Sequence, residues 1–508
     1  MKRCSTLVEM LSAGKDSDVA LGAPGTPDLS YKGLRTLIID TVRTLNGFGI
    51  GRNDRVAIVL KNGPEMASAF MAVACGTTSA PLNPAYRADE FEFYISDLQA
   101  KALIVEHDSD SPAIGVAEKL GILVINLVPT PQKGAGSFEL KIRSGQSPKL
   151  AQGGWAQPDD VGLILHTSGT TSRPKIVPLS QRNVAVSAGN IAETVKFTAK
   201  DRGLNIMPLF HIHGLIAGIL APLSAGSYVF CSPGFNALKF FAWMEECKPN
   251  WYTAVPTMHQ TILTRASQNK ATIEKYPLRF LRSSSSSMPT QVIKELESVF
   301  NAPLIEAYGM TEAAHQMCSN PLPPKARKPG SVGLAGGPKV AIMDDRGNLL
   351  PAGSIGEVVI RGDNVTKGYE NNPKANADAF TKGWFRTGDQ GMMDSEGYVT
   401  LTGRLKEIIN RGGEKISPVE VDEVLMDHPA VQQVVTFAIA HDKLGEEVGA
   451  AVVLREGMTA TDQEIRAFAA TKLADFKVPR KILIMAEIPK GATGKLQRIG
   501  LAKKLGLE

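Results

Sequence analysis

The sequence predicts an α/β protein: a large N-terminal domain of layered α/β subdomains that includes a β-rich subdomain, then a small C-terminal α+β domain. Three observations predict it. Strand-like and helix-like apolar runs alternate through roughly the first 400 residues. The rhythm turns strand-rich near Lys339. The end of the chain carries two well-signalled helix starts around further strand-like runs.

Taken in order, Val56-Ala57-Ile58-Val59-Leu60 reads as a buried strand, Glu65 to Cys75 as a helix and Ala102-Leu103-Ile104-Val105 as the next strand. That alternation points to parallel strands joined through helices. Val340 to Met343 reads as a strand entering the turn Asp344-Asp345-Arg346-Gly347-Asn348. Val358-Val359-Ile360 is another strand, and Asp394-Ser395-Glu396-Gly397 is a hairpin-type turn before Tyr398-Val399-Thr400-Leu401. Ser417-Pro418-Val419-Glu420 and Thr461-Asp462-Gln463-Glu464 are capping boxes, the first with proline at the opening helical position. Val434 to Ala440 and Ala450 to Leu454 read as strands between them. The expected division is 1–403 for the large domain, with the β-rich part at about 339–403, and 404–508 for the small one.

Composition narrows the function classes. With 508 residues, 43% of them hydrophobic, the chain is too apolar for global disorder and long enough for several folding units. Lys and Arg number 56 against 51 Asp and Glu, a +5 balance too small and too dispersed for a nucleic-acid surface. The five cysteines are scattered and form no CxxC pair, which fits a reducing compartment. No signal peptide is legible, the longest apolar stretch (about Leu215 to Leu223) is too short for a membrane span, and KKLGLE is no peroxisomal address. The expected location is the cytoplasm, and no obligate protein partner is implied.

The first chemical signal is Leu163-Ile164-Leu165-His166-Thr167-Ser168-Gly169-Thr170-Thr171-Ser172-Arg173-Pro174-Lys175. An apolar strand runs into hydroxyls, a glycine and two cations, groups that ring phosphate oxygens. It is not a Walker loop, and a Ser/Thr/Gly loop by itself is usually only a loop. Its order, however, resembles the AMP-forming acyl-adenylating superfamily, which includes acyl-CoA synthetases, peptide-synthetase adenylation domains and beetle luciferases. Four further blocks match in sequence order: Tyr308-Gly309-Met310-Thr311-Glu312, Gly383-Trp384-Phe385-Arg386-Thr387-Gly388-Asp389, Gly403-Arg404-Leu405-Lys406-Glu407-Ile408-Ile409 and Pro489-Lys490-Gly491-Ala492-Thr493-Gly494-Lys495. Ile176 departs from the pattern, since glycine commonly follows the loop lysine.

The resemblance implies two half-reactions: a carboxylate attacks the α-phosphorus of ATP, and a thiol, here CoA, then displaces AMP. It implies that Thr167, Ser168, Gly169, Thr170, Thr171 and Lys175 hold the phosphates. Thr311 would bond the α-phosphate or the acyl carboxylate, and Glu312 would ligate Mg2+. Glu306, Ala307, Tyr308 and Gly309 would border the nucleotide, with the Tyr308 ring on the adenine and Ser285 and Ser286 along it. Asp389 would accept from the ribose hydroxyls, a task suited to two carboxylate oxygens, and Arg404 would reach ribose or phosphate. Lys495 would bridge the attacking carboxylate and the α-phosphate. The small domain would be mobile, rotating about Lys406 so that Arg411, Gly412 and Gly413 line the CoA tunnel. Bland readings exist for each residue: a lone glutamate or lysine is usually a solvated charge, and two glycines usually make a turn.

For the acid, five of eight histidines lie in or beside these motifs: His166, His211, His213, His259 and His315. A single histidine is more often a core or surface residue; the concentration shifts the balance. The pattern, with His-Thr-Ser-Gly-Thr-Thr-Ser-Arg-Pro-Lys at 166–175 and Ser319-Asn320-Pro321-Leu322-Pro323, resembles oxalate–CoA ligases. Oxalate is therefore the expected small acid. His211, His213, His315 and Ser287 are the expected acid-binding residues, since a buried second carboxylate requires donors. Malonate or another short, medium-chain or aryl acid is the alternative. No aspartate in Trp251–His259 offers an anchor for an amino-acid substrate. Luciferase-type oxygenation stays open at this level, and retention of Lys175, Glu312, Asp389, Arg404 and Lys495 argues against a decayed, non-catalytic module.

Overall fold

A strand buried at successive positions needs cover on both faces, which parallel sheets flanked by helices provide. Arg55–Val59 is such a strand, and the helix Pro64–Ala74 that follows it is buried from Met66 onward. The computed structural model describes residues 4–167, 174–489 and 496–507. In it this strand is the centre of a seven-stranded sheet, ordered Phe138–Ser144, Leu123–Pro129, Ala102–Glu106, Arg55–Val59, Thr78–Pro81, Val161–His166, Ile176–Ser180. The inner strands are parallel and the two edge strands antiparallel.

A second, nine-stranded sheet carries the middle of the chain. Its order is Leu334–Ala335, His315–Ser319, Leu304–Met310, Phe280–Ser283, Trp251–Ala254, Arg202–Asn205, Tyr228–Cys231, Val19–Ala23, Thr26–Ser30. The run from Leu304–Met310 to Val19–Ala23 is parallel. The carboxyl ends of parallel strands are where open α/β sheets bind ligands, and here they set Thr253 beside Arg282 and Ser283 beside Glu306. The apolar stretch noted near Leu215 lies within an all-buried π-helix, His213–Leu220, continued by Ala221–Leu223. π-Turns are uncommon and concentrate at functional sites.

Lys339–Met343, Ile355–Arg361, Trp384–Met393, Phe380–Thr381 and Val399–Arg404 form an antiparallel five-stranded sheet, in which Asp389 sits opposite Arg404. An exposed turn containing Lys406 leads into the small C-terminal sheet of Ile409–Arg411, Glu414–Ile416, Val431–His441, Gly445–Leu454 and Lys481–Ile484. Both helix starts there are side-chain capped. The Thr461 box is reciprocal. The Ser417 box is half formed: Ser417 accepts from the Glu420 N–H, but the Glu420 carboxylate pairs with Lys477 at 2.6 Å instead of returning to the cap. The small part rests on the large one through Arg455–Glu295 (3.3 Å) and a Gln260 side-chain bond to the Gln432 carbonyl (3.4 Å). Among the described residues no helix is long and apolar enough to cross a membrane.

Candidate active site

Thr167 and Lys175, which flank the candidate phosphate loop, are bonded to each other. The Thr167 N–H donates to the Lys175 carbonyl (3.0 Å), and the Lys175 N–H returns to Thr167 Oγ1 (3.2 Å). Ser168, Gly169, Thr170 and Thr171, expected on the phosphates, lie outside the described residues. Ile176, the departure from the usual glycine, is buried as the first residue of its strand. One residue before Thr167, His166 Nε2 lies 3.2 Å from Asp97.

Lys175 Nζ stands 4.3 Å above the Tyr369 ring, and Tyr369 Oη donates to Glu312 Oε1 at 2.7 Å. One aromatic side chain thus ties loop cation to metal-candidate carboxylate. Glu312 is buried, and burial pushes its pKa up against the opposing pull of Tyr369, Lys175 and Arg404. Magnesium takes one or two carboxylates and completes its shell with phosphate and water. A single buried carboxylate held by one phenol beside the phosphate loop fits that habit. Thr311 is partly buried one residue before it.

The nucleotide candidates lie along Leu304–Met310. Tyr308 is buried, and its hydroxyl donates to Asp389 Oδ2, while Arg404 Nε approaches Oδ1 at 3.2 Å. Both oxygens expected to serve ribose are thus engaged within the protein. Asp389 raises the Arg404 pKa, the largest influence on that half-exposed side chain. Glu306 is buried, accepts the Gly330 N–H (3.2 Å), and is pushed by burial to a pKa of about 8. Ala307 is buried beside it, and Gly309 is required by close approach: a Cβ there would lie 2.1 Å from the His315 carbonyl oxygen.

His315, folded over Gly309, belongs to a polar cluster at the heart of the large domain. Its ring stacks on His213, centroids 4.8 Å apart and planes 17° apart. His213 Nδ1 is 3.0 Å from Ser285 Oγ and its Nε2 is 2.7 Å from Thr253 Oγ1. Behind both rings lies Arg282, 1% exposed, with Nη2 donating to His315 Nε2 and to Gln316 Oε1, each 3.2 Å, and Nη1 3.4 Å from His213 Nε2. Ser285 and His315 both hold positive φ, 77° and 97°. Strained non-glycine conformations of this kind persist where surrounding structure enforces them.

Ser285, expected along the adenine, is the serine bonded to His213. Ser287, expected on the acid, is exposed, as is Ser286. His211 sits one step out: its Nδ1 accepts the His213 N–H at 3.3 Å, at the start of the π-helix. His259 is a core residue. Its Nε2 donates to the Arg282 carbonyl (3.2 Å), its Nδ1 accepts from Tyr252 (3.0 Å), and burial lowers its pKa to about 4.

In the small domain Arg411 pairs with Glu447 at 2.6 Å, and Gly412 and Gly413 make a two-residue hairpin turn with φ of 60° and 98°. Positive φ at two successive turn positions explains the glycines. Lys495 lies outside the described residues. Sequence reasoning missed Tyr369, Thr253, Gln316 and Arg282. For Arg282 a signal existed, an arginine inside the short strand Phe280–Ser283.

Comparison with known proteins identifies the family. The model of the family described as AMP-binding enzyme matches residues 13–370, and that of the AMP-binding enzyme C-terminal domain matches 420–495. The chain is 46% identical to a protein of Arabidopsis thaliana named oxalate–CoA ligase, over 94% of each chain. It is 43% identical to an oxalate–CoA ligase of Saccharomyces cerevisiae, covering 89% of this chain and 87% of that one. The ATP-bound crystal structure of MatB from Rhodopseudomonas palustris superposes with a TM-score of 0.86 at 27% identity, covering 99% and 98% of the two chains. With the family's model matched over more than half of the chain, and relatives 46% and 43% identical along nearly all of it, the chain belongs to the AMP-binding enzyme family.

Proposed function

We propose that this chain is an AMP-forming acid–CoA ligase whose preferred acid is oxalate. The observation that carries the choice of acid is the buried cluster of His213, His315, Ser285 and Arg282. A fatty or aryl acid needs an apolar channel and offers no counter-charge to the buried Arg282 guanidinium, whereas a second carboxylate supplies one. The relatives named oxalate–CoA ligase support the same reading.

In the reaction, one carboxylate of the acid attacks the α-phosphorus of ATP and pyrophosphate leaves. Residues Thr167 to Thr171 and Lys175 hold the leaving phosphates, and Thr311 orients the reacting groups. Asp389 and Arg404 take the ribose after exchanging their contact and the Tyr308 hydroxyl for it; Glu306, Ala307, Gly309 and Ser286 border the nucleotide. Lys495 supplies positive charge where two anions meet. Glu312 would hold Mg2+, which neutralises phosphate charge when bound with ATP. A domain boundary at 403/404 with its hinge at Lys406 lets the second domain turn. Arg411, Gly412 and Gly413 then admit the thiol of CoA, which displaces AMP.

The test is a panel of carboxylates with ATP and CoA, scored by AMP release and thioester formation. Oxalate is expected to show the highest kcat/KM. Faster turnover of hexanoate or 4-coumarate overturns the acid assignment, and release of ADP instead of AMP overturns the ligase reading.

A further inference from the structure

Arg282 has a position that the two half-reactions leave unexplained. It is 1% exposed, and no described carboxylate pairs with it; its partners are His213, His315, Gln316 and Thr253. Its Nε has no hydrogen-bond partner among the described residues. Burying a guanidinium without an anion is costly, and such charges are ordinarily paired. Burial alone lowers its pKa, to about 9, which still leaves it charged at neutral pH. A cation stored in this way fits a protein whose counter-anion arrives with the substrate.

The geometry also dictates the histidine tautomers. A guanidinium only donates. His315 Nε2, 3.2 Å from Arg282 Nη2, must therefore present a lone pair, and so must His213 Nε2, which faces Arg282 Nη1 at 3.4 Å. The Thr253 hydroxyl, 2.7 Å from the same His213 nitrogen, then donates to it. Each neutral ring carries its proton on Nδ1, on the side away from Arg282. From His213 that proton goes to Ser285 Oγ, whose own hydrogen is left to point onward.

We infer that Arg282 is the positioning residue that makes this enzyme select a dianionic two-carbon acid: it holds His213 and His315 as Nδ1–H donors and supplies, one layer behind them, the positive charge that balances the second carboxylate. This rests on the acid assignment proposed above and adds the source of its selectivity.

The test uses three variants of the full chain. Arg282→Met removes charge and donors at similar volume, with thermal melting of each variant as the control for folding. Arg282→Gln keeps a donor without charge, and Arg282→Lys keeps charge without the fork. Oxalate is compared with glycolate, which has the same two-carbon frame and one carboxylate. With Met, kcat/KM for oxalate is expected to fall about 100-fold through KM, while KM for ATP stays within threefold and the oxalate-to-glycolate preference collapses. Lys is expected to restore part of that preference and Gln little. Equal losses for both acids, or a matching rise in the KM for ATP, would show a structural role and overturn the inference.

A second readout is independent of the acid. Histidine-selective 15N spectra of the wild-type chain, assigned with His213 and His315 variants, are expected to show both rings as Nδ1–H. Nε2–H rings overturn the inference even if oxalate is the best substrate. If oxalate is not a substrate but the rings are Nδ1–H, the acid assignment fails and the tautomer control stands.

Discussion

Replacing Tyr369 with phenylalanine removes one oxygen and nothing else from the contact between phosphate loop and metal-candidate carboxylate. The ring that carries Lys175 at 4.3 Å stays, while the 2.7 Å bond to Glu312 is lost. Glu312 is 6% exposed, so water cannot readily replace the phenol. A hydrogen bond to a charged group contributes about 1.5–3 kcal/mol. At about 1.4 kcal/mol per factor of ten, Tyr369→Phe is expected to lower kcat/KM for ATP by roughly 10- to 150-fold. Tyr369→Leu also removes the ring beneath Lys175. A cation–π contact adds about 0.5–2 kcal/mol, so the leucine variant is expected to be a further ~2- to 30-fold slower. The assay is oxalate-dependent ATP–pyrophosphate exchange at varied Mg·ATP, with thermal melting as a control for folding. Exchange at wild-type rate in the phenylalanine variant would refute the role of the phenol. Identical rates for the two variants would refute the role of the ring, and an equal loss in thiolysis of supplied oxalyl-adenylate would refute its assignment to the first half-reaction.

Lys495→Ala is expected to abolish adenylate formation, by roughly 10²–10³-fold as for one preorganised electrostatic stabiliser, while thiolysis of supplied oxalyl-adenylate largely survives; parallel loss of both half-reactions refutes the assignment. Lys406→Pro, in an exposed turn, is expected to spare pyrophosphate exchange and reduce thioester yield, and a joint decline of the two rates argues against a hinge. The folded Glu306 carboxyl keeps its proton to about pH 8, against an ordinary value of 4.5. Folded protein therefore binds the extra proton between these values, and stability falls as pH rises through that window. Glu306→Gln cannot ionise and is expected to lose less Tm between pH 5.5 and 8.5 than the wild type; parallel curves in thermal melts would show that burial does not hold the proton.

What the sequence determined by itself is local. Thr461 caps its helix through Glu464, three positions away, so the capping box was legible before any tertiary contact. The strand cores at Val56 and Ala102 followed from consecutive apolar residues, and the ordered motifs singled out Glu312, Asp389 and Arg404 as candidates. Where a distant residue competes, the local reading yields. Glu420 leaves its cap for Lys477, 57 positions later, because a cation beside it binds a carboxylate better than a backbone N–H at an exposed helix start.

Only the tertiary structure decided the interior of the site. Tyr369 reaches Glu312 from 57 positions downstream, Tyr308 meets Asp389 across 81, and Arg282 meets His213 and His315 across 69 and 33. Positive φ at Ser285 turns that serine, rather than Ser287, toward His213. An arginine within a short apolar strand reads the same in sequence whether its side chain reaches water or histidines. Its burial depends on which strands lie beside it, and the cost of that burial gives Arg282 its attraction for an anion.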